Sequence, residues 1–180
     1  MADELIDIFD EKNKHTKKTC MKNEAHQKGF WHRSVHIWVY DPVKGIILQL
    51  RAKDKKVFPN LWDISSAGHV GAGEEPLTSA VRELGEELGL VVKESDLEFF
   101  KILENEGEYD DIKDREFSYV YLLPKSLDIK DIKIQKEELQ KVKFMSLDKL
   151  EKELKIHSSK FVPFGSYWFD MIGEIRKRIK

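Results

Sequence analysis

Apolar positions along this chain recur with two different periods. From Pro76 to Leu88 they fall at Leu77, Ala80, Val81, Leu84 and Leu88, a single stripe down one side of a helix. Pro76 suits the first turn of that helix and Gly89 the residue just past its end. Trp31–Tyr40 alternates instead, with Val35, Ile37 and Val39 among aromatic neighbours, which predicts a strand. Asp41–Gly45 (DPVKG) punctuates it as a turn, and Ile46–Leu50 follows as the second strand of a hairpin. Leu97–Leu103 and Phe117–Leu123 read as strands, and Leu61–Ser65 with Val70 bracket another extended stretch. Leu5–Phe9 and Lys17–Met21 read as short strands joined by a turn at Asp10–His15. Leu147–Leu154 and Trp168–Ile179 read as helices, the second carrying Trp168, Met171, Ile172, Ile175 and Ile179 on one side. Strands interleaved with amphipathic helices predict an α/β (α+β) fold, a mixed sheet sandwiched between helices.

No internal repeat or Pro/Gly/Ser-rich linker interrupts the pattern, so residues 1–180 are expected to form a single domain, with 1–30 as an N-terminal extension packed on it. A chain of 180 residues suffices for one real core. Charged residues make up 36%, but 31 basic against 33 acidic nearly cancel to a net −2. No global basic field exists to recruit nucleic acid, so phosphate chemistry must come from local clusters. The lone cysteine, Cys20, can form neither an internal disulfide nor a cysteine-rich zinc site. The acidic Met1–Glu11 segment does not resemble a signal peptide, and no apolar run approaches the roughly 18 residues of a membrane span. The expectation is a soluble, cytoplasmic protein without a membrane partner, either a monomer or a homodimer.

The Pro76–Leu88 helix has a second face. Glu83, Glu86 and Glu87 sit at i, i+3 and i+4, so their carboxylates are neighbours beside the apolar stripe. Two carboxylates about 6 Å apart repel by roughly 0.7 kcal/mol in water and roughly 3 kcal/mol at an effective dielectric near 20. Arg82 can pair with Glu86, but one cation does not neutralise three anions. Such a face suits a hard divalent cation, and Mg²⁺ takes oxygen ligands while sharing its shell with substrate phosphates. A solvated acidic face is the ordinary alternative.

The preceding residues decide between them. The segment GHVGAGEEPLTSAVRELGEELGL, residues 68–90, resembles the Nudix box, G-x5-E-x7-R-E-U-x-E-E-x-G-U with U aliphatic. Every fixed position is filled, and average residue usage makes a chance match roughly one in 10⁸ windows. The resemblance implies the Nudix fold and a Mg²⁺ site, with Mn²⁺ as an alternative ion. It implies Gly68, through its carbonyl, and Glu83, Glu86 and Glu87 as the metal set. Catalysis would fall to Glu83, Glu86, Glu87 and Arg82, with Glu74 orienting the carboxylates from behind. The implied chemistry is attack by a metal-positioned water on phosphorus. The identity of the general base stays open.

Outside the box the chain is similar to isopentenyl-diphosphate isomerase, a Nudix-fold enzyme. Strings EAHQKGFWHRS, SSAGHV and DREFSYVY place His26, His32, His69, Asp114 and Glu116 where that enzyme holds a second metal, a plausible donor mix for a divalent ion. Arg51 and Lys55 match its diphosphate-contacting basics. Trp62 is a candidate for stacking on substrate, with a strand aromatic as the ordinary alternative. Where the isomerase has a catalytic cysteine this chain has Ala67, and a methyl group cannot transfer a proton. The expectation is therefore a hydrolase from the isomerase-like branch, acting on a nucleoside diphosphate or another diphosphate-linked small molecule. The alternatives are the isomerase itself and a non-catalytic nucleotide-binding module.

Overall fold

The computed structural model describes residues 3–109 and 112–179. In chain order they form β1 (Leu5–Phe9), β2 (His15–Met21), α1 (Lys22–Lys28), β3 (His32–Asp41), β4 (Gly45–Arg51), β5 (Trp62–Asp63), β6 (Ser66–His69) and α2 (Pro76–Leu88). There follow β7 (Glu98–Tyr109), β8 (Ile112–Pro124), β9 (Leu139–Met145), α3 (Leu147–Ile156) and α4 (Ser166–Ile179). No described helix is long and apolar enough to cross a membrane.

β3 organises the sheet. It runs parallel to β8 from His32↔Glu116 to Tyr40↔Pro124, and β7 closes that side as the antiparallel partner of β8. On its other side β3 pairs with β6 through Ser34–Ile37 and with β4 only at Tyr40 and Asp41. β4 then carries β5 and β9. β3 and β4 splay apart after two pairs, and Ser65 fills the gap. The Val39 N–H donates to its hydroxyl oxygen at 2.8 Å, and the hydroxyl donates to the Ile47 carbonyl at 2.6 Å.

Alternation along the strands supplies two apolar faces. Val35, Ile37, Val39 and Ile47 pack with Ala80, Leu84 and Leu88 of α2. Trp38, Tyr40, Ile46 and Leu48 pack with Leu150 and Leu154 of α3 and with Trp168, Met171, Ile172 and Ile175 of α4. Each fully buried leucine stabilises this arrangement by about 1.5–3 kcal/mol. The result is the predicted sandwich. α2 ends as its sequence predicts, with Gly89 left-handed at φ 65° and its N–H bonded back to Gly85; the left-handed region is where glycine is at least cost.

Some local expectations need correction. Lys22–Lys28 is a helix and Leu139–Met145 a strand, neither of which the apolar pattern predicts. α1 is short and buries only Ala25, so it has no periodic stripe to read. β9 alternates weakly, with exposed Gln140 and Lys141, because it lies beside β4 with one side open to solvent. His15 belongs to β2 rather than to the preceding turn, and α4 starts two residues earlier, at Ser166. β1 and β2 form their own two-stranded sheet with a small satellite core of Ile6, Ile8 and Ala25.

Candidate functional site

β6 separates two clusters. Pairing on β3 sends Ser66 and Gly68 toward α2, and Ala67 and His69 to the opposite face. On the α2 side, the buried Glu87 carboxylate accepts the Ser66 hydroxyl at 2.6 Å and the Ala67 N–H at 3.2 Å. Burial pushes its pKa up to about 8, with Glu83 adding to the shift and Ser66 opposing it. Burial also raises Glu83, against the pull of Arg82. Gly68 is where the backbone meets this pair: a Cβ there would lie 2.1 Å from the Glu83 Cδ.

Arg82 is the hub. Its guanidinium donates to Glu83 at 2.8 Å, Glu86 at 3.2 Å, Glu74 at 3.2 Å and the His69 carbonyl at 3.0 Å. Glu4 joins at 3.5 Å. Partial burial would push the Glu74 carboxyl up, but the Ser79 hydroxyl at 2.6 Å and Arg82 hold it below its ordinary value. Four carboxyl groups surround the one guanidinium, with Glu87 behind them, beside a Gly68 Cα that has no room for a Cβ against the Glu83 carboxyl. Such a donor set suits a hard divalent cation, which Gly68, Glu83, Glu86 and Glu87 could hold.

Across β6, His26 of α1, His32 of β3, His69 of β6 and Glu116 of β8 each aim one donor atom at a common point, all within 4.8 Å of one another. Nε2 of His26 lies 3.2 Å from Nε2 of His32 and 3.3 Å from Nε2 of His69. Glu116 Oε1 lies 3.4 Å from His32 Nε2 and 3.3 Å from His69 Nε2. A tetrahedral shell with metal–nitrogen bonds of about 2.0–2.1 Å has edges of about 3.3–3.4 Å. His32 Nδ1 is 2.8 Å from the Phe30 carbonyl, so Nδ1 carries a proton and Nε2 faces the cluster; burial opposes protonation of this ring, but the Glu116 carboxylate raises its pKa, so a metal bound here would displace the Nε2 proton. Burial, then the neighbouring imidazoles, lowers His26 to about 3. Burial likewise lowers His69 to about 4, so both rings are neutral at neutral pH and available as ligands. Burial opposes ionisation of Glu116, yet bonds from His32 and His69 hold its carboxyl well below the usual range. The cluster can coordinate a divalent metal.

Asp114 stands beside this group rather than in it, 3.9 Å from His26 Nε2. Its Oδ1 is enclosed without a hydrogen-bond partner, and burial with the nearby Glu116 pushes its pKa up to about 8. An orphaned buried oxygen next to a converging donor set is a second observation in favour of a cation there.

The remaining candidates are placed unequally. Arg51 is committed within the protein, to Asp63 at 2.8 Å and the Val57 carbonyl at 3.0 Å. Lys55 pairs with Glu138, and burial followed by Arg51 lowers its pKa to about 8, against the pull of Glu87. Trp62 packs, partly buried, on the α4-side core with Lys143 Nζ 3.4 Å from its ring centre.

The model of the NUDIX domain matches residues 30–164, which span β3 to the segment before α4 and hold both clusters except Glu4 and His26. The chain belongs to the Nudix family. Among its relatives, Nudix hydrolase 3 of Arabidopsis thaliana is 34% identical over 184 residues, 97% of this chain but 24% of that protein. Isopentenyl-diphosphate Delta-isomerase 2 of Photorhabdus laumondii is 36% identical over 116 residues, 61% of this chain and 65% of that protein. A crystal structure from Deinococcus radiodurans shares the fold, with a TM-score of 0.68 at 18% identity, covering 95% of this chain and 98% of that one.

The Nudix loop has supports that no motif announced. The Ala72 N–H donates to the Leu5 carbonyl at 2.9 Å, and the Gly73 N–H to Asp7 at 2.8 Å, so β1 braces residues 71–74. Glu4 extends the same brace to Arg82. These contacts cross more than sixty residues of sequence, and no local spacing encodes them. Ser66 is different: it adjoins the box, and a hydroxyl one residue before Ala67 was available to be read.

Proposed function

We propose that this Nudix protein is a divalent-metal-dependent hydrolase, from the isomerase-like branch, that cleaves a diphosphate linkage in a nucleoside diphosphate or another diphosphate-linked metabolite. The observation that carries the reading is the carboxylate set of α2 converging on Gly68 with its charge unbalanced. Mg²⁺ bound there would polarise the phosphoryl oxygens and orient the water that attacks phosphorus. Arg82 holds Glu83 and Glu86 in place, and Glu74 holds Arg82. Ser66 and the Ala67 N–H aim Glu87 toward the same space. Lys55, beside Glu87, supplies the cation that meets substrate phosphate, whereas Arg51 orders the loop that carries Lys55. The histidine cluster, on the other side of β6, supports the isomerase-like branch and a second divalent ion.

Isomerisation of a carbon–carbon double bond needs a proton donor and acceptor on opposite faces of the substrate. Ala67 offers neither, which favours hydrolysis. The test incubates the protein with Mg²⁺ and nucleoside diphosphates, ADP-ribose, dinucleotide polyphosphates, coenzyme A or isopentenyl diphosphate in ¹⁸O water. Products are read by mass spectrometry. Metal-dependent cleavage with ¹⁸O in one product, absent from the Glu86→Gln variant, is the expected result. Undiminished turnover in Glu86→Gln would refute the assignment.

A further inference from the structure

On the face of β3 turned toward α4, the core residues Trp38 and Tyr40 are preceded by His32, Ser34 and His36 at the same spacing of two. A strand face covered by an apolar helix has no need of a polar row, and burying such groups costs free energy unless they are paired. Ser34 and Ser118 are paired: their hydroxyls lie 2.8 Å apart, and the Asn105 amide donates to Ser118 at 2.7 Å. His36, only 6% exposed, is paired on one nitrogen alone.

Its tautomer follows from its neighbour. The Tyr167 hydroxyl oxygen accepts the Trp38 Nε1–H at 2.8 Å and lies 3.3 Å from His36 Nδ1. Burial keeps Tyr167 a protonated phenol. Among the described residues His36 Nδ1 is the acceptor within its reach, so Nδ1 holds the lone pair. Burial keeps the imidazole neutral, and its one proton therefore sits on Nε2. That N–H meets no acceptor among the described residues. Among the described residues the enclosed side-chain atoms left without partners are Gln49 Oε1 and Asp114 Oδ1, so His36 Nε2 opens onto space that solvent reaches. Half-exposed Ala67 stands opposite it in register, two residues along β6 from His69, and the half-buried ring of Phe164 lies 5.4 Å away. Two residues of strand is about 7 Å. A diphosphate that reaches the histidine cluster, which shares this face of β6, would carry its attached group past Ala67 to His36.

We propose that His36 determines specificity: its Nε2–H donates to an oxygen on the group attached to the diphosphate, so the substrate bears a sugar or nucleoside rather than an aliphatic chain. The inference rests on the diphosphate-hydrolase reading and narrows it. An alkyl chain laid over Ala67 leaves the Nε2–H unpaired, and sites built around a hydrogen bond reject partners that lack one.

The test uses the whole protein with Mg²⁺ and two non-hydrolysable probes, α,β-methylene-ADP and methylenediphosphonate, with binding read by calorimetry. His36→Phe keeps an aromatic ring between Phe164 and Tyr167, and is expected to weaken the nucleotide probe roughly three- to tenfold while leaving methylenediphosphonate unchanged. His36→Gln, which can accept from Tyr167 and donate to the ligand, restores most of the difference. On the unaltered protein, ¹⁵N NMR should show His36 protonated on Nε2, and that nitrogen should shift with the nucleotide probe but not with methylenediphosphonate. Equal loss for both probes, an unmoved His36 resonance, or isopentenyl diphosphate binding as well as ADP would overturn the proposal. A His36 response without turnover of any substrate would refute the hydrolase reading instead, and leave a nucleotide site.

Discussion

Gly68→Ala tests the geometry of the carboxylate set most directly. Gly68 sits in β6, paired with Val35, so its backbone cannot recede without breaking the sheet. An added Cβ would lie 2.1 Å from the Glu83 Cδ and 2.2 Å from its Oε1. Ordinary carbon contacts begin at about 3.5 Å, so the carboxyl must retreat by about 1.4 Å. Glu83 is 8% exposed and held by Arg82 at 2.8 Å, so that retreat breaks a largely buried ion pair. The expected cost is roughly 1–3 kcal/mol of stability. A displacement of about 1 Å among reacting groups can cost on the order of 100-fold in rate, and turnover should fall at least that far. Gly85→Ala is the control within the same helix. Gly85 is exposed, and its added Cβ would come no closer than 3.8 Å to the Leu90 carbonyl. Alanine there should add about 0.5–1 kcal/mol of stability through helix propensity. Urea denaturation of both variants, with Mg²⁺-dependent product release measured on each, checks the pair. A Gly68→Ala protein that folds and turns over like the parent would refute the crowding argument.

Glu87 predicts a pH-dependent response to Mg²⁺. Its folded pKa of about 8 lies above its ordinary 4.5, so the neutral carboxyl is favoured in the fold. Its stabilisation is complete below the ordinary value and is lost as pH rises through about 8. The metal-free protein should therefore lose Tm from this group over that interval, and the Tm gained on adding Mg²⁺ should grow with pH as the ion displaces the proton. A Mg²⁺ increment flat from pH 5 to 9 in thermal scans would contradict this. At the histidine cluster, His32→Ala removes one of four converging donors and should lower the divalent metal retained after dialysis, measured by elemental mass spectrometry. Glu86→Gln, on the other cluster, should retain it, and equal loss in both variants would show that the two clusters do not act separately.

Much of this arrangement was legible in the order of residues. The α2 stripe and its capping residues are local, so a 3.6-residue period and a proline and glycine at the ends were enough to outline the helix. The box resides in one contiguous segment of 23 residues, which is why Gly68, Glu74, Arg82, Glu83, Glu86 and Glu87 could be named together. The sandwich followed from strands and amphipathic helices that each need a partner face. The histidines and Glu116 were named only through resemblance, because β3, β6 and β8 lie far apart in the chain and only the pairing of β3 with both β6 and β8 unites them. Tertiary structure alone decided that Arg51 is spent on Asp63 and Val57, that Asp114 stands aside from the converging donors, and that β1 braces the Nudix loop through Glu4, Leu5 and Asp7. It also decided the state of His36, since the proton position on that ring depends on a tyrosine 131 residues later. Local spacing specifies which chemistry a segment can offer. Which partner a long side chain meets, and which of its atoms is left free, depends on contacts made only when distant segments pack.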